Sequence, residues 1–97
     1  MDTSQPIIMG AAWYRENQWE RLKEVSEDRD NLEETWIEWN QAVEKSLQEA
    51  RSMGLHVEKV DVDIEELIQW CRAKRRPVNA ESRASFAGEK TMKRHTA

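Results

Sequence analysis

Between residues 31 and 53, six apolar side chains recur at steps of four, three, four, four and three: Leu32, Trp36, Trp39, Val43, Leu47 and Ala50. That spacing holds all six on one stripe of a 3.6-residue helix and fits no strand, whose side chains change face at every residue. It predicts a helix over 31–53 with an apolar stripe that must be covered. Asp30 or Asn31 is expected to cap its first N–H groups, and Glu33 and Glu34 to complement the positive end of its dipole. Gly54 is placed to take the left-handed conformation past its end, with Leu55 folding back on the last turn.

The other segments are shorter. "PIIMG" from Pro6 is β-branched and apolar and reads as a strand. Trp19, Leu22 and Val25 mark an amphipathic helix ending near Ser26. In "HVEKVDVD", Val60 and Val62 share a strand face while Val57 takes the other, which implies burial on both faces or a bulge near Lys59. Asp63 caps a helix whose apolar face is Ile64, Leu67, Ile68 and Cys71, with Glu66 placed to return the bond to the Asp63 N–H and Pro77 ending it by barring Arg76 from the α region. Asn79 caps a final short helix carrying Ala84 and Phe86, with Gly88 as its end.

A hydrophobic fraction of 38% against 35% charged residues would suggest disorder if the apolar residues were scattered, and here they are periodic. A chain of 97 residues supports one core. The expected organisation is a disordered N-terminus at 1–5, a single α+β domain at 6–88 and a basic disordered tail at 89–97. The domain is mostly helical, with about four helices and two short strands. Neither a signal peptide nor a membrane span fits the first residues, so the cytoplasm is the expected location and no membrane partner is expected. One cysteine without a C-x-x-C neighbour points to neither a disulfide nor a zinc site, and no cofactor or metal is expected.

Charge is divided unevenly. Residues 1–71 hold 7 Lys/Arg against 17 Asp/Glu, a net −10, and residues 72–97 hold 8 against 2, a net +6. Arg72, Lys74, Arg75 and Arg76 fall in the last turn of a helix, where cations suit the negative dipole end and the acidic body attracts them. The alternative is a nucleic-acid-associated regulator that uses these four with Lys90, Lys93 and Arg94, against the repulsion of the acidic body for a polyanion. Cys71 beside Arg72 raises a thiol enzyme as a third class, with His56 as the body's histidine. The apolar face and the negative helix end favour a structural thiol. Asp61 and Asp63 suggest a cation site, but Asp63 is spent on capping and no third ligand lies near.

Five tryptophans, Trp13, Trp19, Trp36, Trp39 and Trp70, exceed what one small core requires. Trp13, Tyr14 and Arg15, read as a loop following the first strand, are residue types that anchor interfaces, and they stand as partner-binding candidates together with Arg83. Arg83 sits in the first turns of a helix, where a cation is unfavourable, so it is expected to hold a carboxylate of residues 1–71 through a bidentate pair with Phe86 packed nearby. The leading expectation is a non-enzymatic protein-interaction or regulatory module that binds a protein partner or itself. The combination of "WYR" at 13–15, "EW" at 38–39, "MG" at 53–54, "WC" at 70–71 and "RASF" at 83–86 resembles a group of short bacterial proteins of unassigned function. The resemblance implies a small stand-alone bacterial domain over about residues 6–88 and carries no activity.

Overall fold

The apolar stripe that begins at Leu32 lies against a two-stranded sheet. In a computed structural model describing residues 8–96, strand β1 (Ile8–Trp13) is followed by a 3₁₀ turn (Glu16–Gln18), helix α1 (Trp19–Val25), a second 3₁₀ turn (Arg29–Asn31) and helix α2 (Trp36–Ser52). Strand β2 (His56–Asp61) and helices α3 (Ile64–Lys74) and α4 (Ala80–His95) complete the chain. The fold is α+β and mostly helical, with four helices and one two-stranded parallel sheet among the described residues. The expected disordered stretch 1–5 and the strand positions Pro6 and Ile7 lie outside the described residues.

The strands run in continuous register from Ile8 opposite His56 to Trp13 opposite Asp61. There is no bulge at Lys59: Val57 and Val60 fall on opposite faces because helices cover both. Gly10 and Val60 face α4, where a Cβ at position 10 would collide with Thr91 Oγ1. Trp13 and Lys59 face α2, where Trp13 packs on Trp39 and Lys59 pairs with Glu44 at 3.2 Å. The sheet is the middle layer of three, and strand β1 runs on through Ala11 and Ala12 despite their weak strand preference because small residues let both helices approach.

Helix α2 starts five residues later than its stripe suggests. Thr35 is the cap: its hydroxyl accepts from Glu38 N–H at 3.1 Å, and Glu38 Oε1 accepts from Thr35 N–H at 3.1 Å. Asp30 and Asn31 form the 3₁₀ turn instead, and Leu32 joins the core from outside the helix. The far end behaves as expected: Gly54 has φ 86°, and the N–H groups of Gly54 and Leu55 donate to Arg51 and Ala50 carbonyls, although the Leu55 side chain stays 45% exposed. Asp63 caps α3 through Glu66 N–H, but the Glu66 carboxylate turns to Lys90 rather than back to Asp63.

Helix α4 corrects the expected short helix and disordered tail. It passes Gly88 and ends at His95, because Thr91 is buried on Gly10 and because Arg94 and His95 reach Glu58 on β2 at 3.2 and 3.0 Å. A glycine inside a helix costs about 1 kcal/mol against alanine, which docking of the last two turns offsets. Arg83 meets its expectation: Nη1 and Nη2 donate to the two Asp28 oxygens at 2.9 Å each, and Nη1 also donates to Ser26 Oγ at 3.2 Å. Asp28 accepts a further bond from Ala80 N–H, so one carboxylate holds both the side chain and the N-terminus of α4.

Candidate functional site

The tryptophans divide into a core and a surface. Trp39 is the hub of the core, with ring centroids of Trp13, Tyr14, Trp19 and Trp36 at 5.1, 5.2, 5.4 and 6.3 Å. The indole N–H of Trp36 donates to Tyr14 O, and that of Trp19 to Glu33 O. This arrangement corrects the reading of Trp13, Tyr14 and Arg15 as an exposed cluster. Tyr14 is 4% exposed, and burial pushes its hydroxyl up to about 12 against the offsetting Arg83 cation. Trp13, the last residue of β1, is sandwiched between Trp39 and Lys59, whose ammonium lies 4.0 Å from the ring centroid. Arg15 is exposed but holds Asp61 through Nε and Nη2 at 3.2 and 2.8 Å, which also removes Asp61 as a cation ligand. Arg83, 7% exposed, is consumed by Asp28.

Trp70 is different. It flanks the buried stripe of α3, half-buried, edge-on to Phe86 at 5.6 Å, with its N–H donated to Glu89 at 3.3 Å. Lys74, four residues on and so one turn along the same side, lies 5.5 Å from the ring centroid, and Arg76 lies at the same distance. Lys90 sits 5.3 Å from the Phe86 centroid. Trp70, Phe86, Glu89 and Lys90, with Glu66, Gln69 and Lys93, line a surface groove of about 370 Å³ between α3 and α4. Lys74 at i+4 from Trp70 is the signal in the chain that marks this pair; grouping Trp70 with the core stripe hides it.

The cations of residues 72–76 end α3. Arg75 takes the left-handed conformation, φ 57° and ψ 45°, and its N–H and that of Arg76 close the helix on Arg72 and Cys71 carbonyls at 3.1 and 2.9 Å. Glycine is the usual residue there; a side chain costs about 1–2 kcal/mol. The closure uses backbone N–H groups. Lys74 reaches Glu89 at 4.0 Å, while Arg72, Arg75 and Arg76 are exposed and have no carboxylate of a described residue within 4.0 Å. By contrast Lys90 pairs with Glu66 at 3.1 Å, Lys93 with Glu89 at 3.7 Å and Arg94 with Glu58 at 3.2 Å. The seven cations considered for nucleic acid are therefore not one surface: Lys74, Lys90, Lys93 and Arg94 pair with the protein's own acids, and Arg72, Arg75 and Arg76 are open.

Cys71 is 2% exposed, and burial raises its thiol above the ordinary value. His56 lies elsewhere, 3.6 Å from Glu58. Among the described residues no three His, Cys, Asp or Glu side chains cluster to hold a metal, and no helix is long and apolar enough to cross a membrane. Compared with protein families, curated proteins and solved structures, the chain has no significant match.

Proposed function

We propose that this protein is a non-enzymatic interaction module of the cytoplasm that holds an Asp/Glu-rich segment of a partner protein at the C-terminal end of α3. The observation that carries this reading is the set of three exposed guanidiniums, Arg72, Arg75 and Arg76, with no carboxylate of a described residue within 4.0 Å in a chain whose body has a large acidic surplus. Arginine forms bidentate bonds to carboxylates, and Trp70 between Lys74 and Arg76 offers an apolar platform beside them, the residue types that carry interface energy. A buried reduced thiol suits a reducing compartment. The test is pull-down from the native host with wild type and with an Arg72→Gln, Arg75→Gly, Arg76→Gln variant. Specific proteins present with wild type and lost from the folded variant support the reading; identical recovery contradicts it.

A second reading, nucleic acid, is favoured by the same three open arginines beside a ring on which a base can stack. It predicts that binding to a 20-base-pair duplex weakens with salt at a log–log slope of about −2.7 for three phosphate contacts. A slope near zero, or no binding at low salt, rules it out in favour of the acidic protein segment.

A further inference from the structure

Strand β1 has an outer edge that differs from that of β2. Val62 N–H donates to the Trp13 carbonyl at 3.0 Å, so in this parallel register the odd-numbered residues of β1 turn their backbone groups toward β2. Gly10 and Ala12 turn theirs outward. On that line the Tyr14 carbonyl is already taken by the Trp36 indole at 2.8 Å, and on the opposite edge the Val57 carbonyl is taken by Arg51 at 3.2 Å. Among the described residues nothing takes the outward groups of Gly10 and Ala12. Buried or half-buried backbone groups are ordinarily paired, and an unpaired strand edge is a template for another strand.

The edge lies in a groove of about 350 Å³, with Gly10 and Ala12 along its floor, Leu32 and Glu33 on one wall and Ala80 and Ala84 on the other. The walls are fixed: Glu33 by its carbonyl accepting from Trp19 Nε1, and α4 by the Arg83–Asp28 pair. Small side chains leave room beside the strand, and the stretch from Gly10 to Tyr14 spans roughly 13 Å, the reach of four or five residues of extended chain. Glu33, which lines the groove, has no cation of a described residue within 4.0 Å of its carboxylate. A second copy of this chain does not suit the groove, because its own walls flank its β1 edge and would meet these walls before the strands could pair.

We infer that β1 takes a third strand from a partner: an extended peptide segment with small or β-branched apolar side chains at alternate positions and a Lys or Arg placed to meet Glu33. Main-chain bonds to Gly10 and Ala12 supply affinity, and the walls and Glu33 supply selectivity, the division found wherever a peptide extends a sheet. The inference does not rest on the Trp70 surface, since the two sites share no residue.

The test is selection of a phage-displayed library of random dodecapeptides on the full chain, followed by anisotropy titration of the enriched peptides. Two variants are compared. Ala12→Pro removes the outward N–H at an edge position where proline is tolerated, and Ala84→Arg fills the groove from an exposed helix position. The expected result is enrichment of alternating apolar peptides with a basic residue, binding a monomer, with affinity at least tenfold weaker for each folded variant. Failure to enrich any sequence overturns the inference. So do peptides that bind both variants as tightly as wild type, or a wild-type dimer in sedimentation that Ala84→Arg dissolves, which would place a second copy in the groove.

Discussion

Two basic segments of nearly equal charge begin eighteen residues apart, at Arg72 and Lys90, and are used in opposite ways. In residues 90–95 the basic side chains lie along a helix that crosses the sheet: Lys90, Lys93 and Arg94 meet carboxylates, and the His95 ring meets the same Glu58 as Arg94. In residues 72–76 the chain leaves the body at the end of α3, and only Lys74 reaches an acid among the described residues. Charge composition does not distinguish the two segments; geometry does. A cation that follows the acidic body neutralises it, and a cation at a helix end pointing away stays available. The left-handed Arg75 sharpens the contrast, because a glycine would relieve that position, and a residue held in an unfavourable conformation at an exposed site points to use rather than to folding.

The largest expected effect comes from the cation most fully spent. Arg83→Ala leaves Asp28 without its partner and is expected to destabilise the fold by about 3–5 kcal/mol, measured by denaturant unfolding. Arg83→Lys, which cannot reproduce the two parallel bonds, should recover part of that loss. Next is Gly10→Ala, which forces Thr91 or the Ala87 carbonyl to move. A cost of about 1–3 kcal/mol is expected, with faster amide exchange over residues 88–95, which would return the paired tail to the open state seen at 72–76.

Acid should act on the same spent pairs. The Arg83 hydrogen bonds hold the Asp28 carboxyl below the usual range, and His95, then Arg94, do the same for Glu58. A depressed carboxylate contributes stability that is complete above its unfolded value, about 4, and is lost as pH falls through the lower folded value. Unfolding followed from pH 5 to pH 2 should show this loss, and a smaller one in Asp28→Asn. The smallest effect carries the opposite sign: Arg75→Gly is expected to stabilise by about 1 kcal/mol while weakening partner binding. Destabilisation by Arg75→Gly would mean that its side chain holds the fold.

Much of this arrangement was legible in the chain wherever the physics is local. The α2 stripe, Gly54, the Asp63 and Asn79 caps and the burial of Cys71 follow from spacing and short-range bonds. Arg83 was legible for a different reason: a cation misplaced on a helix dipole needs a distant acid. The misses are long-range. The stripe carries Leu32 into the core without carrying it into the helix, so apolar spacing alone hides the Thr35–Glu38 box. Ala11 and Ala12 belong to a strand only because helices press on both faces, which moved Trp13 and Tyr14 from a loop to the core. Gly88 stops nothing because the turns after it are docked on β1 and β2. The open arginines depend on where every acid lies, which no spacing reveals.

The guanidiniums of Arg72, Arg75 and Arg76 are not spent on folding, whereas the charged groups of Lys90, Lys93 and Arg94 are. Matched thermal unfolding of two triple variants tests this most directly: Arg72→Gln, Arg75→Gly, Arg76→Gln, and Lys90→Gln, Lys93→Gln, Arg94→Gln. In the first, loss of Arg72 from the helix end costs about 0.3–1 kcal/mol and relief at position 75 offsets it, so the midpoint should stay at or above that of wild type. In the second, three ion pairs worth at most about 1 kcal/mol each are removed, so the midpoint should fall by several degrees. A first variant that falls as far as the second would contradict the account.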